Sequence, residues 1–106
     1  MQNYDIDALL SRVKRIHFIG IGGSGMCPLA QILHHDGYLL SGSDNNESDT
    51  LNRIRAMGIP VAMGQRAENI GDADLVVYSA AIAKTNPERA AAEANGVEMM
   101  ERSELL

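Results

Sequence analysis

The chain has 106 residues, which is enough for one globular domain and too few for two. Hydrophobic residues make up 45 % of it and aromatic residues only 4 %, so the core is expected to be aliphatic. The formal net charge of −5 argues against nucleic acid as a partner, because nucleic-acid modules carry a basic patch.

The pattern of apolar residues and turn residues predicts alternating strands and helices. Residues 1–14 are a lead-in with a short helix over 5–13, and residues 15–106 form one domain. Strands are predicted over 16–21, 38–43, 60–63, 74–79 and 97–100. Helices are predicted over 24–35, 48–57 and 86–95, with a shorter helical piece over 65–70 and the start of another at 102–106. This alternation predicts a Rossmann-like α/β fold in three layers, with a parallel sheet of about five strands and helices on both faces.

A glycine-rich turn follows the first predicted strand. Gly20, Gly22 and Gly25 have the spacing GxGxxG, and Gly23 is added within it. In this motif the glycines allow a tight turn, a close approach of pyrophosphate to the backbone, and packing of the helix on the strand. The helix start then directs N–H groups at the anion. The motif therefore predicts a nucleotide-diphosphate site, the alternative being a tight turn without a ligand.

Two further segments are expected at the same edge of the sheet, because the strands that precede them are parallel. Asp44, after the second strand, is suited to accept hydrogen bonds from ribose hydroxyls or from the N3–H of uracil, or else to cap a loop. Ser79 and the residues up to Ile82 offer a hydroxyl and N–H groups to phosphate or sugar, or else form a simple exit from the strand. Asn86 is interpreted as the cap of the helix that Pro87 begins.

Several kinds of site are absent from the sequence. No GxxxxGK[ST] loop for ATP is present, since neither Lys14 nor Lys84 follows such glycines. No nucleophile–base constellation and no metal-ligand spacing is found, so neither a catalytic residue nor a metal is predicted. Cys27, the single cysteine, is interpreted as a packing residue; it excludes an internal disulfide and fits a cytoplasmic protein. No apolar run is long enough to cross a membrane.

Residues 16–26, with the sequence IHFIGIGGSGM, resemble the opening of the bacterial Mur ligases. The resemblance covers nearly the whole chain from Arg15 onward, through the segments 41–44, 58–61, 73–79, 81–82, 86–88 and 102–105. This combination is far more specific than the glycine spacing alone. The chain departs from the usual residues of the family at Gln65, at Ala80 and at the pair Cys27 and Pro28.

The resemblance implies the first of three domains of a peptidoglycan-synthesis ligase. That domain holds the UDP part of UDP-N-acetylmuramate, a central domain binds ATP with magnesium, and a C-terminal domain closes the active site. The muramoyl carboxylate is activated as an acyl phosphate, which the amine of L-alanine attacks. This chain is accordingly expected to bind its substrate without catalysing and to hold no cofactor of its own. Enzymes that add L-alanine resemble it more than those that recycle the murein tripeptide.

Carried over onto this sequence, the resemblance implies a set of substrate-binding residues. The residues 22–25 should line the diphosphate, Asp44 should lie near uracil or ribose, and the residues 79–82 should flank phosphate or sugar. The full set is Gly20, Gly22, Gly23, Ser24, Gly25, Met26, Asp44, Ser79, Ala80, Ala81 and Ile82.

Two other classes of function stay open at the level of sequence. The glycine loop and Asp44 also fit the NAD(P)-binding domain of an oxidoreductase, although the segments 79–82 and 86–88 favour the ligase. A non-catalytic regulatory module on the same scaffold is the third interpretation, since fold alone does not fix function. If a second domain normally covers this one, apolar surface is left exposed, and weak self-association is expected.

Overall fold

A computed structural model of the protein describes residues 6–23 and 25–105. Its helices are α1 (Ile6–Arg12), α2 (Met26–His35), α3 (Asp49–Ala56) and α4 (Pro87–Ala94), with 3₁₀ helices at Ala67–Ile70 and Arg102–Leu105. Its strands are β1 (Arg15–Ile19), β2 (Leu39–Asp44), β3 (Val61–Met63), β4 (Leu75–Tyr78) and β5 (Glu98–Glu101). Each element begins and ends within about two residues of its prediction. The predicted lead-in helix is confirmed as α1, while residues 1–5 lie outside the described part.

The strands form one parallel sheet in the order β3-β2-β1-β4-β5. Ile16 in the central strand pairs with Leu40 on one side and with Leu75 on the other. The chain therefore builds outward from β1 to β3 and then returns to add β4 and β5 on the opposite side. The strand order reverses between β1 and β4, which is where α/β sheets of this kind form a crevice.

Helices cover both faces of the sheet, which confirms the predicted three-layer α/β fold. One face is packed by α1, α2 and α3, whose buried side chains meet Phe18 and Val77. The other face is covered by α4 and the 3₁₀ helix Ala67–Ile70, where Ile70 and Ala92 pack on Ile19. Side chains alternate between the two faces along each strand, as the two-residue period of a strand requires.

Local chemistry explains where the helices begin. The Ser48 hydroxyl accepts a hydrogen bond from the N–H of Leu51 at the start of α3. The Asn86 side-chain oxygen accepts from the N–H groups of Glu88 and Arg89 at the start of α4, which confirms its predicted role as a cap. Among residues 6–23 and 25–105, no helix is long and apolar enough to cross a membrane.

A close approach fixes the position of the glycine loop over the sheet. A Cβ atom at Gly42 in β2 would lie 2.6 Å from the Cβ of Ile21, far inside van der Waals contact. The absence of a side chain at Gly42 is therefore what lets the fully buried Ile21 pack directly on β2. The glycine loop is thus seated on the second strand as well as on the first.

Candidate functional site

A cleft of about 600 Å³ lies beyond the carboxyl ends of the strands, at the reversal of the strand order. The glycine loop, the end of β2 and the segment after β4 all reach it, as predicted from the topology. Six of the predicted site residues line the cleft: Gly20, Gly23, Asp44, Ser79, Ala81 and Ile82. Residues that the prediction did not include complete the lining: Asn45, Asn46, Gln65, Ala83, Thr85, Asn86 and Pro87.

Hydrogen bonds within the protein occupy most N–H groups of the glycine loop. The N–H groups of Gly20 and Ile21 both donate to the carbonyl of Ser43, at 2.8 and 2.9 Å. The N–H of Gly23 donates to the carbonyl of Gly20 at 2.9 Å. Gly20 adopts a φ of 75°, which side-chain-bearing residues rarely adopt. These N–H groups hold the loop itself in place and are therefore already engaged within the protein.

The start of α2 carries positive potential. Gly25 is its N-cap with a φ of 80° and supplies no side-chain cap, in contrast to the caps of α3 and α4. The Arg102 guanidinium lies over this turn, because a Cβ at Gly25 would be 3.0 Å from its Nη1. A helix start and a guanidinium side by side favour an anion. Arg102 is not among the site residues that the sequence predicts.

Three predicted residues of this turn, Gly22, Gly25 and Met26, are not among the residues that line the cleft. The Met26 side chain is 1 % exposed and packs in the core, and its N–H donates to the carbonyl of Gly23 at 3.1 Å. Met26 therefore supports the turn from behind and offers no side-chain contact to a ligand. Ser24 lies outside the described residues. Cys27 is buried beside Met26, which confirms its predicted role in packing.

Asp44 joins the glycine loop to the end of β2. Its Oδ2 accepts from the N–H of Gly22 at 3.0 Å, and its Oδ1 accepts from the N–H of Asn46 at 3.1 Å. It therefore has the loop role that was its alternative interpretation, and it lines the cleft as well. Each carboxylate oxygen has a further lone pair, so Asp44 can still accept a hydrogen bond from a ligand.

A side chain of α4 holds the segment after β4 in place. Arg89 donates from Nη1 to the carbonyl of Ile82 at 2.7 Å, and its guanidinium lies 4.2 Å from the centre of the Tyr78 ring. The N–H of Ile82 donates to the carbonyl of Ser79 at 3.0 Å. This tight turn brings Ser79 and Ile82 into the cleft, while Ala80 is exposed and does not line it.

Three amide side chains form a cluster at the rim of the cleft. Gln65 Oε1 accepts from Asn86 Nδ2 at 2.6 Å and from Asn45 Nδ2 at 3.3 Å. In the sequence, Gln65 stands out only as a departure from the family and Asn86 only as a cap. The signal that could have found the cluster is topological, since Gln65 follows β3 and Asn86 precedes α4 at the same edge of the sheet.

A buried polar network that the sequence does not predict lies beneath this rim. His17 in β1 and Glu88 in α4 are 1 % and 0 % exposed, and His17 Nε2 lies 2.6 Å from Glu88 Oε1. Burial alone would raise the pKa of Glu88, but hydrogen bonds from His17, Asn69 and Ser43 outweigh it and lower the pKa below the ordinary value of 4.5. Glu88 is therefore a carboxylate at neutral pH.

The composition of the cleft suits binding rather than covalent chemistry. Of the described residues that line it, Asp44 alone has an ionisable side chain, and the others offer amides, hydroxyls or backbone. Within the described part of the chain, no three His, Cys, Asp or Glu side chains are grouped so that they could hold a metal ion. The lining provides polar hydrogen-bonding groups, and Gly23 is the lining residue that precedes the turn into α2.

Comparison with known proteins identifies relatives over almost the entire chain. The family model described as "Mur ligase family, catalytic domain" matches residues 15–106. A protein of Agathobacter rectalis named UDP-N-acetylmuramate--L-alanine ligase is 54 % identical over 104 residues, which are 97 % of this chain and 22 % of that protein. The chain thus spans about a fifth of the length of that relative.

Solved structures of ligases that act on UDP-N-acetylmuramate also match this chain. The crystal structure of UDP-N-acetylmuramate-alanine ligase from Thermotoga maritima matches with a TM-score of 0.82 and 34 % identity, over 88 % of this chain and 21 % of that one. A UDP-N-acetylmuramate:L-alanyl-gamma-D-glutamyl-meso-diaminopimelate ligase from Neisseria meningitides matches with a TM-score of 0.77 and 29 % identity, over 84 % of this chain and 28 % of that one. On the match of residues 15–106, the chain belongs to the Mur ligase family.

Proposed function

We propose that this chain is the domain that binds the UDP part of UDP-N-acetylmuramate in an ATP-dependent UDP-N-acetylmuramate–L-alanine ligase of peptidoglycan synthesis. The observation that carries the proposal is the cleft at the reversal of the strand order, on which the glycine loop, Asp44 and the segment after β4 converge. The name of the relative that is 54 % identical supports the choice of substrate.

The charges around the cleft suggest which protein groups bind which part of the ligand. The start of α2 and the Arg102 guanidinium favour the diphosphate. Asp44 would repel phosphate but accepts hydrogen bonds, so it suits the N3–H of uracil or the ribose hydroxyls. Ser79 and the turn up to Ile82 then face the remaining phosphate or sugar atoms.

The proposal assigns binding, and not catalysis, to residues 15–106. The chain spans about a fifth of its named relative, and the proposal places the acyl-phosphate chemistry, ATP and magnesium in the parts of such a ligase that this chain does not cover. Assignment to the L-alanine-adding enzymes, rather than to those that recycle murein tripeptide, rests on the higher identity to the former. A cytoplasmic location stays a prediction.

An NMR titration tests the proposal. The ¹⁵N-labelled chain is titrated with UDP-N-acetylmuramate and, separately, with NAD, which the oxidoreductase interpretation requires. We expect shifts of the Gly22, Gly25 and Asp44 amides with the UDP-sugar alone, and weaker binding by Asp44→Asn. Asp36→Asn, an exposed aspartate at the end of α2, is the matched control and should bind like the wild type. Shifts with NAD only, or with neither ligand, would contradict the proposal.

Weak self-association also stays a prediction, and two exposed apolar side chains suggest positions at which to test it. Ile32 and Leu39 are 59 % and 55 % exposed, which is high for large apolar side chains. Sedimentation at rising concentration should show a reversible increase in mass that Leu39→Ser reduces. A strict monomer at high concentration would contradict the prediction.

A further inference from the structure

The Glu88 carboxylate holds four hydrogen-bond donors from three parts of the fold. Oε1 accepts from His17 Nε2 at 2.6 Å and from the Ser43 hydroxyl at 2.8 Å. Oε2 accepts from the N–H of Arg66 at 3.2 Å and from Asn69 Nδ2 at 2.9 Å. One oxygen is therefore hydrogen-bonded to side chains of β1 and β2, and the other is hydrogen-bonded to the loop that follows β3.

The loop side of this arrangement brackets Gln65. Asn69 Nδ2 donates to the Gly64 carbonyl at 2.9 Å as well as to Glu88. The N–H of Gly64 donates to the Asp44 carbonyl at 2.8 Å. The residues immediately before and after Gln65 are thus both tied down, and Gln65 itself is left to point at the cleft.

The orientation of the Gln65 amide follows from the helix beneath it. Asn86 Oδ1 is committed to the N–H groups of Glu88 and Arg89, so Asn86 Nδ2 has to be a donor. The atom of Gln65 that faces it at 2.6 Å is therefore the oxygen. The NH₂ group is then the remaining polar group of a side chain that lines the cleft, and it is suited to donate to an acceptor oxygen of a ligand.

We propose that Glu88 is a positioning residue, whose carboxylate holds the 64–69 loop and whose helix turn holds Asn86, so that the Gln65 NH₂ group is presented to the cleft as a fixed hydrogen-bond donor. The ligand atoms it suits are carbonyl or phosphate oxygens. This inference rests on the proposed function for the identity of the ligand, but not for the orientation of Gln65. Glu88 is buried and acts on the ligand only through Gln65.

Two variants separate positioning from general stability. Asn69→Ala removes the side-chain hydrogen bond from the loop to Glu88, leaving the one from the Arg66 N–H, and it keeps the His17–Glu88 contact in place. Glu88→Gln keeps both hydrogen bonds to the loop, because the amide oxygen can accept from Arg66 and Asn69. The amide NH₂ group can donate to the Ser43 hydroxyl and to His17 Nε2, if His17 adopts the tautomer in which Nε2 is an acceptor. Asn52→Ala, an exposed asparagine on α3, is the matched control.

The first measurement needs no ligand. In the free 106-residue chain, we expect Asn69→Ala to shift the Gln65 side-chain NH₂ resonances and to speed hydrogen exchange at the Arg66 amide. We expect Glu88→Gln and Asn52→Ala to leave both near their wild-type values. Unchanged Gln65 and Arg66 signals in Asn69→Ala would overturn the proposal, whatever the ligand turns out to be.

The second measurement is the affinity for UDP-N-acetylmuramate. Asn69→Ala should weaken it by about 3- to 10-fold, the worth of one hydrogen bond, and the other two variants should stay within about twofold of wild type. Equal affinities for Asn69→Ala and Asn52→Ala would overturn the proposal. If the wild type itself fails to bind the UDP-sugar, the proposed function fails, while the ligand-free signals still decide the role of Glu88.

Discussion

Gly22→Ala perturbs the junction between the glycine loop and Asp44. A Cβ atom at residue 22 would lie 2.9 Å from Asp44 Oδ2 and 3.0 Å from Leu51 Cδ2. Leu51 is fully buried and Asp44 is only partly buried, so we expect the Asp44 carboxylate to move. Its hydrogen bond from the Gly22 N–H, 3.0 Å long, is then lost.

The magnitude follows from these two effects. Adding a methyl group to a packed site costs about 1–3 kcal/mol, and the lost hydrogen bond costs about 1 kcal/mol. The reduced freedom of the unfolded chain gives back about 0.4–1 kcal/mol when glycine becomes alanine. We expect a net loss of about 2 kcal/mol in the free energy of unfolding, which leaves a domain of ordinary stability folded.

Urea denaturation measures this loss, and the amide shift of Asn46, whose N–H is bonded to Asp44 Oδ1, reports the displaced carboxylate. Gly37→Ala is the control: its φ of 96° makes the substitution strained, but a Cβ there meets nothing within 4 Å. Gly37→Ala should lower the free energy of unfolding by about 1–2 kcal/mol and leave the amide shift of Asn46 unchanged. The reasoning is refuted if Gly22→Ala costs less than about 0.5 kcal/mol, or if Asn46 does not move.

Three further substitutions test other parts of the site. Asn86→Ala should lower the free energy of unfolding by about 1 kcal/mol, because the helix cap is lost. Asn86→Asp should keep the cap and shift the Gln65 side-chain resonances in NMR spectra. Equal stability of the two variants would contradict the capping role. Because its hydrogen bonds lower the pKa of Glu88 in the folded state, Glu88 stabilises the fold above pH 4.5 and this contribution is lost as the pH falls through the folded-state pKa. Glu88→Gln should therefore flatten the fall in unfolding free energy below pH 4.5 in acid titration monitored by circular dichroism, and an unchanged slope would refute this assignment. Arg102→Gln should weaken binding of UDP by about 3- to 10-fold at low salt and less at high salt, as measured by calorimetry; affinity unchanged at low salt would remove Arg102 from the anion site.

The sequence predicted the fold well because its signals are local. Alternating apolar segments, Pro87 behind its capping residue and the glycines after strands each act within a few residues, and the elements lie where these signals place them. The convergence of the glycine loop, Asp44 and Ser79 on one cleft was also predictable, since it follows from a parallel sheet alone.

The polar network was not predictable in the same way. His17 and Glu88 are 71 residues apart, and nothing near either one marks it as buried. His17 interrupts an apolar strand, and Glu88 has the place of an ordinary acidic residue in the first turn of a helix. Likewise the N–H groups of Gly20 and Ile21 look free in sequence, because their acceptor, the Ser43 carbonyl, belongs to a neighbouring strand.

The two faces of the sheet differ greatly in how much apolar material they bury. Of the described residues, seventeen buried hydrophobic side chains form the cluster under α1, α2 and α3, and only four form the cluster under α4. Local opening should therefore begin at α4, whose amides should lose hydrogen-exchange protection long before those of α2. One wall of the cleft belongs to the part of the chain that includes α2 and α3, and the other wall to the part that includes α4. A bound ligand therefore links a slow-exchanging part to a fast-exchanging part, and it should extend protection from hydrogen exchange chiefly to α4.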